Sequence, residues 1–330
     1  MSKKFFFVTF SFLIAILFLI ILIKTSSKDH KIQLIQDRVF NEKLIENKSI
    51  SLDRVLGLIK LSNNQITFAC WGPVDRNVLF TLDDQYNVKK WIEINISKDS
   101  IVLDNYFFSN GNVFVINSLD GSIMNLDSNG FVTEKYIYPK SFFRTENRND
   151  FFLISGWDSN YNLFHEKFNF NTKEAHKVLF NDSYLNEYKI NGIALDGNYY
   201  SNDKITVNLP YAVNRLYLFN DDFEYEGSMN LNYNKLPYNY RTGRDGEIVP
   251  DPNNLLPNTN AFLDSNNLFY ILTNQATKWN KENQFFIDIY DLNKKKYVES
   301  IKIDDYKGET PREFVLHDNK VYVLFKSHLV

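Results

Sequence analysis

Two hydrophobic patterns divide this chain. Residues Phe5–Ile23 read FFFVTFSFLIAILFLIILI, an unbroken apolar run in which Thr9 and Ser11 are the only polar side chains. From Lys31 onward, short stretches alternate apolar and polar residues and are separated by turns rich in Asp, Asn and Gly. Alternation with period two belongs to strands whose two faces differ in environment, whereas an amphipathic helix needs a period of 3.6. No stretch after Ile23 keeps helical periodicity over three turns. The pattern predicts one transmembrane helix followed by an all-β domain.

A helix over Phe5–Ile23 nearly matches the roughly 30 Å hydrocarbon core of a bilayer. Lys3 and Lys4 precede it, which puts a short tip, residues 1–4, in the cytoplasm by the positive-inside bias. Lys24 and Lys28 weaken that bias without reversing it, because the free amine adds to the N-terminal charge. A cleaved signal peptide is the rival reading, but its apolar stretch is usually shorter and ends in an A-x-A-like site. Here Thr25-Ser26-Ser27 is a mediocre cleavage site, and no Cys follows the run to accept a lipid. The expectation is a single-pass anchor in the cytoplasmic membrane, a linker at 24–30, and a β domain at 31–330 outside the cytoplasm.

Within that domain a hairpin pattern repeats. It reads LFTLDDQYNVKKWIEI from Leu79, IMNLDSNGFVTEKYIY from Ile123 and KFNFNTKEAHKVLF from Lys167, copies spaced 44 residues apart. It returns as LYLFNDDFEYEGSMNL from Leu216 and IDIYDLNKKKYVESIKI from Ile287. A different hairpin precedes each copy: LSNNQITF from Leu61, FSNGNVFV from Phe108, Arg148–Ile154, Ser201–Val207 and LDSNNLFYIL from Leu263. A sixth such hairpin, LHDNKVYVLF from Leu316, has no second hairpin after it. IQLIQDRVFNEKLIE from Ile32 fits the missing pattern, with Asp37 and Arg38 at its turn. The prediction is a six-bladed β-propeller closed by strands from both termini, the last blade joining Glu313–Phe325 to Ile32–Glu46. Such closure pairs edges that would otherwise be exposed.

This layout resembles bacterial six-bladed propellers of the NHL-repeat and TolB-like kind. The segment Asn191-Gly192-Ile193-Ala194-Leu195-Asp196-Gly197-Asn198-Tyr199 is similar to one NHL unit, although the Pro expected before the Gly is missing. The resemblance implies an architecture and says little about chemistry, because propellers carry many functions.

Composition narrows the classes. The chain has 330 residues, 44% hydrophobic, with 29 Phe and 20 Tyr, which suits half-buried strands. Four Lys and one Asp lie in the first 30 residues, which leaves a net −6 for Lys31–Val330. No basic stripe appears, so no nucleic-acid partner is expected. The single Cys70 excludes an intrachain disulfide framework and a Cys-based metal cluster. Frequent Asn reads as turn chemistry rather than glycan or metal binding.

Candidate chemistry is sparse. Trp71, Trp157 and Trp279 fall in connections between the second and third strands of three blades, on one face of the disc, where indoles can stack a ring ligand. The longest connection, Leu231–Asn260, carries Tyr238, Tyr240, Arg241 and Arg244 and leaves from the same face. Long connections in compact domains are commonly functional, and Tyr and Arg favour binding hot spots. Arg144 and Arg312 lie on fourth-to-first connections and can converge with it. His30, His165, His176, His317 and His328 show no ligand spacing and read as solvated or turn residues. His165-Glu166 begins HEKFN rather than H-E-x-x-H, on a strand whose neighbours face opposite ways. No catalytic residue, metal ligand or cofactor is assigned. The sequence favours a membrane-anchored binding protein for a protein, small-molecule or glycan ligand over an enzyme. Its alternatives are a hydrolase or lactonase with a metal in the central channel, and a structural scaffold of an envelope complex. The channel enzyme needs several polar ligands on the innermost strands, which read as largely apolar.

Overall fold

In the computed structural model the described residues run from 36 to 330, except 71–76, 96–102, 159–162, 183–195, 234–239, 243–247, 252–257, 275–283 and a few shorter gaps. Among them, strands form six four-stranded antiparallel sheets and one two-stranded ribbon. Blade 1 comprises Leu56–Ser62, Gln65–Cys70, Val78–Leu82 and Val88–Glu93. Blade 2 comprises Leu103–Ser109, Asn112–Asn117, Ser122–Leu126 and Val132–Ile137. Blade 3 comprises Arg144–Arg148, Phe151–Trp157, Leu163–Asn169 and Ala175–Lys177. Blade 4 comprises Gly197–Ser201, Thr206–Pro210, Arg215–Phe219 and Tyr225–Asn230, and blade 5 comprises Asn258–Leu263, Leu268–Asn274, Phe285–Asp291 and Lys296–Ile303. Eleven of the twelve hairpins expected beyond Lys31 are present, and the exception is the one expected at Ile32–Glu46. The first strands of the blades contact one another in cyclic order around a central channel.

The core lies between blades. Six apolar clusters fill the six interfaces, for example Phe107, Phe114, Phe152 and Phe168 between blades 2 and 3. The middle strands are mostly buried on both faces, whereas the fourth strand meets solvent and the first strand meets the channel. The Asp and Asn richness has a local cause. Asp83, Asp127 and Asn220 each accept two backbone N–H bonds across a third-to-fourth turn, from the residues two and four positions on. With these caps, Tyr86 and Phe223 take the left-handed position that Gly130 fills in the Asp127 turn.

Closure of the ring differs from the expectation. Blade 6 takes Glu313–His317, Lys320–Leu324 and then His328–Leu329 from the C-terminus, and Ile50–Ser51 as its fourth strand. The C-terminus supplies three strands because Phe325 N–H reaches His328 C=O across a tight turn and brings the last residues back. Only one place remains for the N-terminus. Residues 32–35 lie outside the described residues, and the rest of the expected hairpin is instead an extended strap over blade 5. Gln36 exchanges two hydrogen bonds with the Asn232 side chain, Val39 C=O accepts from Ser300 N–H, and Leu44 packs between blades 5 and 6. Arg38 is not at a turn. It enters the protein, donates to both oxygens of Asp288 at 2.8 and 2.9 Å, and lies 4.0 Å above the Phe286 ring. Among the described residues no helix is long and apolar enough to cross a membrane, and the anchor expected at 5–23 lies outside them.

Gly197, in the NHL-like segment, shows how closely blade 4 is built. A Cβ placed there would overlap Leu209 O and Pro210 Cα of the partner strand. Gly197→Ala should therefore destabilise the protein by about 1–3 kcal/mol, the usual range for overpacking, measured by chemical denaturation. Gly111, whose added Cβ meets nothing within 4 Å, is the contrasting site, with only its φ of 80° to resist substitution.

Candidate ligand site in the central channel

The innermost strands enclose a cavity of about 1040 Å3 that runs along the propeller axis. Its walls are more polar than the strand sequences suggest. Lys60 of blade 1, Glu146 of blade 3 and Glu313 of blade 6 all line it, so three ionisable groups from three blades share one cavity. Lys60 and Glu313 are the only Lys, Arg, Asp or Glu in their strands, Glu146 lies between Arg144 and Arg148, and closure of the ring gathers the three.

Glu313 is held by a bulge. The register of blade 1 shifts between Gly57 and Lys60, and Leu58 adopts a φ of 50°. That turn aims backbone N–H groups of Leu58 and Ile59 at the Glu313 carboxylate, with Ile59 N at 2.8 Å. From the other side the Tyr106 hydroxyl donates to Leu58 C=O at 2.7 Å and lies 2.9 Å from Thr67 Oγ1. The bulge thus ties blade 1 to both its neighbours. Burial raises the Glu313 pKa, and the two N–H groups pull it back.

Lys60 donates to Tyr106 C=O at 2.9 Å, and its ammonium stands 4.3 Å from the Phe107 ring centre. Burial lowers its pKa to about 8, against the attraction of Glu146 and Glu313. Burial raises Glu146 to about 7, against Lys60, the Asn147 N–H, Arg148 and the Ser201 hydroxyl. Both residues keep part of their surface open to the channel. No ion pair shorter than 4 Å joins Lys60 to either carboxylate, in contrast to Arg144, which meets Asp196 at 3.1 Å.

That Arg144–Asp196 pair marks one end of the channel, where the first strands begin. Arg144 also lies 5.3 Å from the Tyr211 ring centre, and the Tyr211 hydroxyl donates to Asn198 at 3.0 Å. Arg312 lines the channel immediately before the first strand of blade 6. Arg144 and Arg312 both line the channel, while most of the long connection with which they were expected to converge lies outside the described residues. At the opposite end Arg148 donates to the Asn202 and Asn220 carbonyls at 2.7 and 3.2 Å.

Of the other sequence candidates, Trp157 ends the second strand of blade 3, opposite Leu163. Tyr240 and Arg241 lie on the ribbon Tyr240–Thr242, which pairs with Ile248–Pro250 inside the long connection, and Arg241 is exposed. The base of that connection is fixed where Asn258 Nδ2 donates to Pro210 C=O and to the Tyr233 hydroxyl, at 2.7 and 2.8 Å. Trp71, Trp279, Tyr238 and Arg244 lie outside the described residues. The fourth Trp, Trp91, stacks on Phe108 with centroids 4.5 Å apart.

His165 departs from the expectation of a solvated histidine. It is buried against the Tyr199 hydroxyl, which donates to Ser155, and burial lowers its pKa to about 3. Its neighbour Glu166 faces the other way, to the Tyr138 hydroxyl at 2.6 Å and to Lys140, as strand alternation requires. Among the described residues no group of three or more His, Cys, Asp or Glu side chains is placed to hold a metal ion. The channel carboxylates share their space with the Lys60 ammonium, a neighbour that disfavours a bare cation.

No family model matches the sequence, and no curated protein matches it. Solved structures do match the fold. A member of the duf4221 family from Bacteroides vulgatus superposes with a TM-score of 0.55 at 11% identity, covering 92% of this chain and 97% of that one. Virginiamycin B lyase from Staphylococcus aureus gives 0.49 at 10% identity, covering 86% and 97%. BamB from Moraxella catarrhalis gives 0.45 at 13% identity, covering 90% and 98%. The chain is a six-bladed β-propeller. At such identities the likeness is one of fold, so the reading of function rests on the channel.

Proposed function

We propose that this protein is a membrane-tethered propeller that binds a small polar ligand in its central channel, outside the cytoplasm. One observation carries the reading: Lys60 and Glu146 line the same cavity without a direct ion pair, so the channel offers two opposite charges to a guest. Concave sites with a few convergent polar groups and shifted pKa values are the usual form of a binding site. The apolar run Phe5–Ile23, with Lys3 and Lys4 before it, supports the anchor and its orientation. Entry is proposed from the end bearing Arg144, Asp196, Tyr211 and Arg312, with Tyr240 and Arg241 of the long connection at its rim.

The test uses the whole chain in detergent micelles, screened for ligands by thermal shift. A ligand at 100 times its Kd should stabilise the folded state by about 2.7 kcal/mol. Asn105 lines the channel and donates to Thr145 C=O at 3.2 Å, so Asn105→Trp would fill the space with an indole. The shift should vanish in Asn105→Trp if the variant melts as a folded protein. A ligand that stabilises both forms equally binds elsewhere, which would refute the channel. Protease added to intact spheroplasts should digest the β domain; protection until lysis would refute its placement.

A further inference from the structure

We infer that the channel selects an amphoteric small molecule of the amino-acid class, with Glu146 receiving its ammonium group and Lys60 its carboxylate. The inference rests on the channel being the ligand site. It follows from which channel charges already have partners. Glu313 is occupied by the N–H groups of Leu58 and Ile59. Arg144 is occupied by Asp196, and Arg148 by two backbone carbonyls and Thr206. Asp104 and Arg312 of the same wall have interactions of their own, and Asp203 stands exposed at the Arg148 end. Lys60 spends one donor on the Tyr106 carbonyl, and an ammonium has three. Glu146 has an N–H and a hydroxyl beside it but, among the described residues, no ion pair within 4 Å, and a carboxylate accepts several bonds.

Two opposite charges held apart in one cavity are poorly served by a guest of single charge. An amine would satisfy Glu146 and add repulsion at Lys60, and a simple acid would do the reverse. A zwitterion completes both at once and brings no net charge into a confined, weakly solvated space. The shifts support this arrangement: both groups are pushed toward their neutral forms, as expected of charges that lack a complete set of partners. A cavity of about 1040 Å3 leaves room for the side chain of the guest and for water.

Binding should also move protons. With a pKa of about 7, Glu146 is roughly half protonated at pH 7, and an arriving ammonium group drives it to the carboxylate. Up to about half a proton per site should therefore be released.

The experiment is isothermal titration of the whole chain in micelles at pH 7, in two buffers of different ionisation enthalpy. The probes are the common amino acids, acetate, ethylamine, an equimolar mixture of the two, and neutral sugars. At least one amino acid should bind at least ten-fold more tightly than acetate or ethylamine, alone or mixed, and release a fraction of a proton. Lys60→Met should abolish the preference over ethylamine. Glu146→Gln should abolish both the preference over acetate and the proton release. A singly charged probe that binds as tightly as the best amino acid overturns the inference. So does a panel in which no amino acid binds up to 10 mM, roughly a 3 kcal/mol interaction. A neutral sugar that binds alone, and is lost in Asn105→Trp, overturns the ligand class while the channel stands. An amino acid that binds Asn105→Trp unchanged overturns both.

Discussion

Arg38→Ala is expected to remove about 3–5 kcal/mol of stability, the range for leaving one partner of a buried ion pair uncompensated. The side chains of Arg38 and Asp288 are 5% and 1% exposed, so water cannot replace the lost guanidinium. Asp288 would keep only the hydroxyls of Ser300 and Thr273. Arg38 also loses its own contacts, to Thr273 at 3.3 Å and over the Phe286 ring. The effect should reach the strap as a whole. Once Arg38 is gone, Val39 is held by two hydrogen bonds, with Ser300 N–H and the Tyr297 hydroxyl, and Val39, Phe40 and Ile45 are already 42%, 54% and 86% exposed. Hydrogen exchange at Ser300 should therefore quicken along with the loss of global stability.

Two further variants make this test decisive. Lys302 and Asp304 form a surface pair at 2.7 Å with side chains 56% and 74% exposed. Lys302→Ala should change stability by no more than about 0.5–1 kcal/mol, since exposed pairs contribute little. The double change Arg38→Met with Asp288→Leu removes both charges and leaves apolar volume, so it should recover most of the loss. Denaturation of the whole chain in micelles measures all three. Arg38→Ala falling within 1 kcal/mol of Lys302→Ala would mean that the strap is not anchored by this pair.

The strap also shows which parts of the fold could be read from the chain. Hairpins were legible because each strand's contacts are local: a turn with Asp or Asn, then alternation on both sides. The strap likewise sets apolar residues, Val39, Phe40, Leu44 and Ile45, among polar ones, but has no ladder to match. Its bonds go to Asn232, Asp288 and Ser300, which lie some 200 residues or more away along the chain. A buried Arg pairing with a distant Asp leaves no periodic signal, so Asp37-Arg38 resembled a turn. The channel was hidden for a related reason. Lys60 sits in LGLIKLS and Glu313 in EFVLH, single charges in apolar strands. One clue was present: a lysine flanked by Ile59 and Leu61 at the centre of a propeller faces either a channel or a partner. Of Trp71, Trp157 and Trp279, whose shared face rests on the placement of their connections in the sequence, only Trp157 is among the described residues.

Glu146→Gln should make the protein more stable above neutral pH. In the unfolded chain Glu146 ionises with its ordinary pKa of 4.5, whereas in the channel it holds its proton up to about 7. Below pH 4.5 the group is protonated in both states and contributes no difference. Between 4.5 and about 7 the folded state binds the extra proton, so stability falls as pH rises, and above 7 the loss is complete. A shift of this size corresponds to about 3 kcal/mol. Lys60 acts in a separate window. Its folded pKa of about 8 lies below the ordinary 10.5, so it returns stability only as pH climbs from about 8 to 10.5. Gln keeps the shape of Glu146 and its bond to Ser201 but has no charge to desolvate. Lys60 then loses a neighbouring anion, which trims the gain to about 2–3 kcal/mol at pH 8. At pH 4.5 or below, the variant and the natural protein should match to within about 0.5 kcal/mol. Burial raises the Glu313 pKa in the same direction, so Glu313→Gln should share the sign of this pH dependence, offset by weaker acceptance of the N–H groups that hold the Leu58 bulge. Urea denaturation at pH 4.5, 6, 7 and 8 measures the slope directly. A Glu146→Gln variant that is less stable at pH 8, or offset equally at every pH, would show that Glu146 is an ordinary ionised carboxylate and that the channel does not strain its charge.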